Sequence, residues 1–331
     1  MKLTILNDLH IGAERVAGTT AQSRWALKVH LRDSFKELLP ENDLMVLGDL
    51  FDTHNVQLVE VLETYQMLAN WLLKGYKLYL VAGNHDLSKS SNVMSSFDLL
   101  GALLKSVCPD RVVVITTPSM TQYGYVIPHL PDQTAFDAAL EGVPVCDYLF
   151  LHCNYHNFFA AQADQSLNLS AAQAEKVPAT TIVIAHEHQQ REVGKVRLPG
   201  NQIASSVADW QHCDTKVCYE ITDGVLATKV VRQKATEYVE QDWKNLEPSS
   251  MKFVRVVGEA TAEQAPQVVT AIAKFRAASA ALVVTNAVQI AANEGLGAFS
   301  TSLETVQAFN VWQALEAVLE PSEIQTLKGL A

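Results

Sequence analysis

Between Met1 and Gln190, five apolar, β-branched runs each stop at aspartate, asparagine or histidine. Asp8-Leu9-His10 follows the run Leu3–Asn7, and Gly48-Asp49-Leu50-Phe51-Asp52 follows Leu44–Leu47. Gly83-Asn84-His85-Asp86 follows Leu78–Ala82, His152 closes Tyr148–His152, and His186-Glu187-His188 comes directly after Thr181–Ala185. Short apolar runs bounded in this way read as buried strands. In open α/β sheets, ligands bind at the carboxyl ends of strands. The pattern therefore predicts a layered α/β fold with carboxylates, an amide and several imidazoles gathered at one edge.

The intervening segments support that class. Trp25, Leu27, Leu31, Phe35 and Leu38 recur at helical spacing, as do Val61, Tyr65, Leu68 and Leu72. Further strands are expected at Val112–Thr116 and Tyr123–Pro128, followed by a closing β-meander of Val193–Leu198, Val217–Ile221 and Leu226–Val231. Lys234–Met251, polar and weakly periodic around Pro248-Ser249-Ser250, reads as a linker. A smaller unit follows, with strands at Phe253–Val257 and Leu282–Val288 and a helix stripe of Val268, Ile272 and Phe275. The capping box Thr301-x-x-Glu304 then opens a helix striped by Leu303, Val306, Phe309, Trp312, Leu315 and Leu319.

Neutral imidazoles and carboxylates without nearby thiolates suit divalent cations such as manganese, iron or zinc in a reactive site. Two ions about 3.5–4 Å apart, sharing a bridging carboxylate, clamp a phosphoryl oxygen and activate water. An imidazole left unligated can protonate the leaving oxygen.

Asp-x-His, Gly-Asp-x-x-Asp, Gly-Asn-His-Asp, a strand-end His and a final His-x-His together resemble the calcineurin-like metallophosphoesterases over roughly residues 1–210. The resemblance implies a four-layered α/β/β/α metallophosphoesterase sandwich over 1–235. It also implies a small C-terminal α/β cap over 236–299 and terminal helices over 300–331. By motif, Asp8, His10 and His188 would hold one metal, Asp49 would bridge, and Asn84, His152 and His186 would complete the second. His85 would be the general acid, with Asp86 beside it to orient the imidazole. Two divalent ions, Mn²⁺ above others, are the implied cofactors.

Within the family the chain looks most like the SbcD-type DNA nucleases in their bacteriophage recombination form. Gly48-Asp49-Leu50-Phe51-Asp52 has the nuclease wording, and Pro199-Gly200-Asn201 stands where that group carries Pro-Gly-Ser. The likeness implies exonuclease or endonuclease action on DNA in recombination, repair or degradation. The cap would contact DNA, and the terminal helices would dock an SMC-like ATPase or a second copy of the chain. No Walker A motif is present, so any ATP dependence would belong to a partner. The alternatives are a stand-alone phosphatase or nucleotide phosphodiesterase of the same fold, and an inactive interaction scaffold.

Charge bears on that choice. The formal net charge is −11, opposite to the balance expected of a protein that holds nucleic acid mainly by neutralising phosphates. Contacts to DNA must then be local, or helped by bound cations or a partner. No apolar run reaches membrane-spanning length, the N-terminus turns polar after three apolar residues, and five scattered cysteines form no disulfide pattern. A cytoplasmic protein without a membrane partner is the expectation. Ala185 replaces the family glycine and is harmless unless that position needs a positive φ. His54 is a candidate for the substrate groove, with an exposed loop position as the alternative. His129 is expected to be structural, His30 and His156 to face solvent, and Cys213 and Cys218 to be ordinary strand cysteines.

Overall fold

A computed structural model describes residues 1–14, 21–88, 93–157 and 166–291. The first sheet takes its parallel strands from β1 (Lys2–Leu6), β2 (Asp43–Leu47), β3 (Leu78–Val81) and β4 (Val112–Ile115). The second is built on β5 (Ser119–Thr121), β6 (Gly124–Ile127), β7 (Cys146–His152) and β10 (Ala179–Ala185), with β6, β7 and β10 parallel. Between β7 and β10 lie the short pair β8 (Asn154–Tyr155) and β9 (Asn168–Leu169).

Alternation along these strands explains the layering. Leu3, Ile5, Met45, Leu47, Tyr79 and Val81 point to one face and meet Tyr148, Phe150, Val183 and Ala185 of the other sheet. On the opposite face Leu6, Leu44, Val46, Leu78 and Leu80 pack beneath α1 (Ala21–Leu38), α2 (Leu58–Leu72) and α3 (Ser96–Val107). The second sheet turns Leu149, Leu151, Ile182 and Ile184 towards α4 (Gln133–Glu141) and α5 (Ala171–Lys176). The period of two thus buries both faces of each sheet, giving an α/β/β/α sandwich. Each fully buried Leu or Ile contributes about 1.5–3 kcal/mol relative to exposure. The helix α3 starts where Ser95 and Asp98 form a reciprocal capping box. Within α1, Leu27, Leu31 and Phe35 are buried as expected, whereas Trp25 stands 52% exposed.

Three expectations need correction. Val193–Leu198 is not one strand but a hairpin, β11 (Arg191–Val193) and β12 (Val196–Leu198), turning at Gly194 with φ 55°. The closing strands do not form one meander. The β11–β12 hairpin joins β10 in the second sheet, while β13 (Thr215–Thr222) and β14 (Val225–Gln233) return to pair with β1 in the first. Lys234–Met251 is not simply a linker, because it contains β15 (Tyr238–Asp242).

That strand lies at the edge of a small parallel sheet with β16 (Phe253–Val257) and β18 (Val283–Asn286). Tyr238, Phe253 and Val283 join the core around α1, whereas Val254, Val256 and Val284 pack on α6 (Ala265–Ala278). A two-stranded pair, β17 (Glu259–Thr261) and β19 (Gln289–Ala291), flanks this unit. His30 is not solvent-facing: its ring lies 6.0 Å from Phe253 in this seam, and burial depresses its pKa to about 4. The terminal stripe Leu303–Leu319 lies outside the described residues. Among the described residues no helix is long and apolar enough to cross a membrane. All five cysteines are free thiols.

Candidate metal centre

Because β1, β2 and β3 are parallel neighbours, as are β7 and β10, the loops after them open on a common edge. The backbone there is strained in a consistent way. Asp8, His10, Asp49 and His186 have φ of 51°, 46°, 51° and 96°. Non-glycine residues seldom occupy this region, and such outliers cluster at functional sites. Two glycines make room: a Cβ on Gly48 would run into the His152 imidazole, and one on Gly83 into the Asp49 carboxylate. Ala185 keeps an ordinary φ inside β10, so its extra methyl causes no strain.

The described residues supply three clusters of metal-competent side chains around this edge: Asp8–His10–His188, Asp49–His152–His186 and His10–Asp52–His85. His10 Nε2 and His188 Nε2 face each other at 3.1 Å. Asn84 Oδ1 lies 3.0 Å from both His152 Nε2 and His186 Nδ1. Asp49 Oδ2 is 3.5 Å from His152 Nε2 and 4.0 Å from His85 Nε2, while its Oδ1 accepts from the His85 backbone N–H. His10, Asp49, Asp52, His85, His186 and His188 line a cavity of about 170 Å³. His186 N–H donates to Asp8 Oδ2 at 3.0 Å and so ties the second sheet to the first.

The residues fit divalent cations. Asp8 Oδ1 is buried without a hydrogen-bond partner, and two imidazole nitrogens are held face to face. Such groups are costly unless a ligand satisfies them. Electrostatics point the same way. Burial works to raise the Asp49 carboxyl, but the charge of His152 and the hydrogen bond to it hold Asp49 below the usual carboxylate range. Burial, aided by the charge of His152, depresses His186 to about 4, so its ring is neutral at neutral pH.

Several of the candidate ligand atoms are aimed by neighbours. His152 Nδ1 donates to the Leu47 carbonyl at 3.2 Å. His188 Nδ1 donates to Asp209 Oδ1 at 2.8 Å, and Asp209 Oδ2 accepts from the N–H groups of Ser205 and Ser206. His85 Nδ1 lies 2.5 Å from the Asp52 carbonyl, which leaves Nε2 towards the cavity. Asp86 does not orient that ring. Its buried carboxylate accepts from the N–H groups of Leu50, Phe51 and Gly83, pinning two site loops together. Burial and the nearby Asp49 charge push Asp86 up to about 7 despite those donors. Asp86 turns from the ring because two of its three donors are backbone groups of a loop about 35 residues away.

Sequence reasoning left Asp52, Asp209 and His129 without roles at the site. Asp52 Oδ1 lies 3.5 Å from His10 Nδ1, and it was already part of the quoted second motif. Asp209 is the sole acid between Asn201 and Gln211, but nothing local marks it as a partner of His188. The His129 ring packs edge-on against His152 at 6.5 Å. The His54 side chain is exposed and lies outside the cavity lining, its carbonyl accepting from Ser96 N–H. His156 is exposed as expected.

The family model described as calcineurin-like phosphoesterase matches residues 1–190. No curated protein shows a significant sequence match. Among solved structures, the chain is similar to an archaeal phosphodiesterase (12% identity, TM-score 0.34), covering 70% of this chain and 100% of that one. It is similar to the phosphopantetheinyl hydrolase of Mycobacterium tuberculosis (16%, TM-score 0.41; 70% and 97% covered). A protein-tyrosine phosphatase from a cold-adapted Shewanella gives 11% identity, TM-score 0.35, and coverage of 70% and 80%.

Proposed function

The chain belongs to the calcineurin-like phosphoesterase family, and on that premise we propose that it hydrolyses phosphodiester bonds with two divalent ions, its polymeric substrate being DNA. The observation that carries the chemistry is the convergence of two ligand groups on one cavity, with Asp49 between His152 and His85.

In this reading Asp8, His10 and His188 would hold one ion, and Asn84, His152 and His186 the other, with Asp49 placed between the two groups. Bound there, divalent ions would supply Lewis-acid charge to the phosphoryl group and an activated water. His85, fixed through Nδ1 by the Asp52 carbonyl, presents Nε2 to the cavity and protonates the leaving oxygen. Asp209 sets the ring of His188 through its hydrogen bond, while Asp52 Oδ1 lies 3.5 Å from His10 Nδ1 without bonding it. Asp86 holds the loops that carry Asp49 and His85 in register.

The DNA assignment rests on the nuclease-type wording of residues 48–52 and on the small α/β unit after the sandwich. The fuller reading is a cytoplasmic, Mn²⁺-dependent exonuclease, with endonuclease action as the alternative. It works in DNA recombination, repair or degradation with an SMC-like ATPase or a second copy docked on residues 300–331. A stand-alone phosphodiesterase acting on small substrates is the second reading, favoured by the net charge of −11.

Incubation with Mn²⁺ and end-labelled duplex DNA, beside p-nitrophenyl phosphate and bis-p-nitrophenyl phosphate, separates the readings. Degradation of the duplex with release of label is expected. Cleavage of bis-p-nitrophenyl phosphate alone would move the assignment to a small-molecule phosphodiesterase. No turnover with any divalent ion would leave a scaffold.

A further inference from the structure

Beside the metal cavity, the amino-terminal half of α1 and the first turns of α2 enclose a separate, larger cavity of about 570 Å³. Its size is that of an ordinary small-ligand site. It adjoins the reactive centre: Ala13 lines the metal cavity and Glu14, the next residue, lines this one. A Cβ on Gly12 would press on Val56 and come within 3.6 Å of Glu60, so among the described residues this glycine lets the loop after β1 approach the start of α2.

The lining is chemically mixed. Trp25 offers a 52% exposed indole, and the Arg32 guanidinium lies 6.0 Å from that ring. Arg32 is also paired with Glu63, and buried Lys28 with Glu14 at 2.5 Å. These cations are largely compensated, which argues against a site for bare phosphate. Arg24 adds an exposed positive charge at the rim. Glu60 is only 4% exposed, and its Oε2 is buried without a hydrogen-bond partner. A buried carboxylate in that state calls for a donor.

An exposed aromatic face, a guanidinium beside it and an unsatisfied buried acceptor together match one ligand class. A nucleobase stacks on indole with little regard to sequence. Its exocyclic amine donates to a glutamate in the way cytosine N4 does. The adjacent sugar-phosphate would run past Arg24 towards the metal cavity.

We propose that Trp25 and Glu60 form a nucleobase subsite next to the phosphoesterase centre, so that the substrates are nucleotide phosphodiesters whose amino-bearing base is read there. This rests on the hydrolase reading above and specifies its substrate class. Trp25 was expected to lie on the buried stripe of α1. Its exposure is the departure that points to a role.

Calorimetric titration of the full chain, with metal removed by chelation, tests the subsite using 2′-deoxycytidine 5′-monophosphate against 2-deoxyribose 5-phosphate. The base-bearing ligand should bind about 10-fold tighter or better, the usual worth of one stacked base. Trp25→Ala should abolish that ratio and Trp25→Phe should keep most of it. Glu60→Gln should erase the preference for deoxycytidine over deoxythymidine monophosphate while leaving stacking in place. Equal binding of the two ligands by the wild type, or a ratio unchanged by Trp25→Ala in a normally folded variant, overturns the subsite. Metal-dependent hydrolysis of bis-p-nitrophenyl phosphate by the wild type is measured in parallel. If hydrolysis is present and binding ignores the base, the subsite alone is wrong. If hydrolysis is absent, the hydrolase reading falls and the subsite proposal with it.

Discussion

The parallel strands of the sandwich and those of the small sheet β15–β16–β18 share a topology, yet their carboxyl ends differ completely. In the small sheet the polar groups at the strand ends are consumed locally. Asp242 accepts from Lys244 N–H at 2.8 Å, Asn286 accepts from Val288 N–H at 3.0 Å, and Gly258 takes the one positive φ. In the sandwich, four strained non-glycine residues gather at one edge, three of them (His10, Asp49 and His186) lining one cavity, and Asp8 Oδ1 stays unpartnered. Parallel strand ends therefore offer a place for chemistry without dictating it. What marks the candidate site is the gathering of positive-φ carboxylate and imidazole residues at one edge together with a buried carboxylate oxygen left without a partner.

The comparison is broken most forcefully at His85. His85→Ala should lower turnover by roughly 10²–10⁴, the usual worth of general acid–base catalysis, with two metals still bound. Elemental analysis alongside kinetics reads both. Loss of one metal would make His85 a ligand.

The seam between the two regions gives the next effect. His30 is buried against Phe253, near Lys252, Arg232, Glu237 and Asp33, and its pKa falls from 6.5 to about 4. The unfolded chain therefore binds more protons between those values, so stability is intact above pH 6.5 and declines as pH falls towards 4. The loss is roughly 3 kcal/mol at most by linkage. His30→Gln should flatten the stability curve over that window relative to wild type in chemical denaturation at stepped pH. An unchanged slope would show that the seam does not hold His30 neutral.

A smaller effect is expected at Asp209. Asp209→Ala frees the His188 ring and should weaken metal affinity by about 10–100-fold, as removing such partners usually does. Titration with Mn²⁺ under competition from a chelator measures it.

Much of the site could be read along the chain, because a ligand at a strand end leaves a local mark: an apolar run that stops at Asp, Asn or His. Asp8, Asn84, His152 and His186 were legible in this way. What stayed hidden depends on distant partners. Asp209 meets His188 across 21 residues that include the β11–β12 hairpin, and Asp86 binds the loop after β2. The return of β13 to β1 pairs residues more than 200 positions apart, which no window of sequence registers. The edge strand β15 resembles a polar connection because Tyr238 is the one buried residue of its five, Val239 is only partly covered on the other face, and Glu240, Gln241 and Asp242 are polar. His30 was misplaced because a helical period does not show which helix face a later sheet will cover.

If one carboxylate serves two ions, metal binding at both sites must change together between wild type and Asp49→Asn. Calorimetric titration with Mn²⁺ should give two ions per wild-type chain, with both affinities falling together in Asp49→Asn. Two ions bound by the variant with unchanged affinity would contradict the bridge, and a single ion in the wild type would contradict the two-ion centre itself.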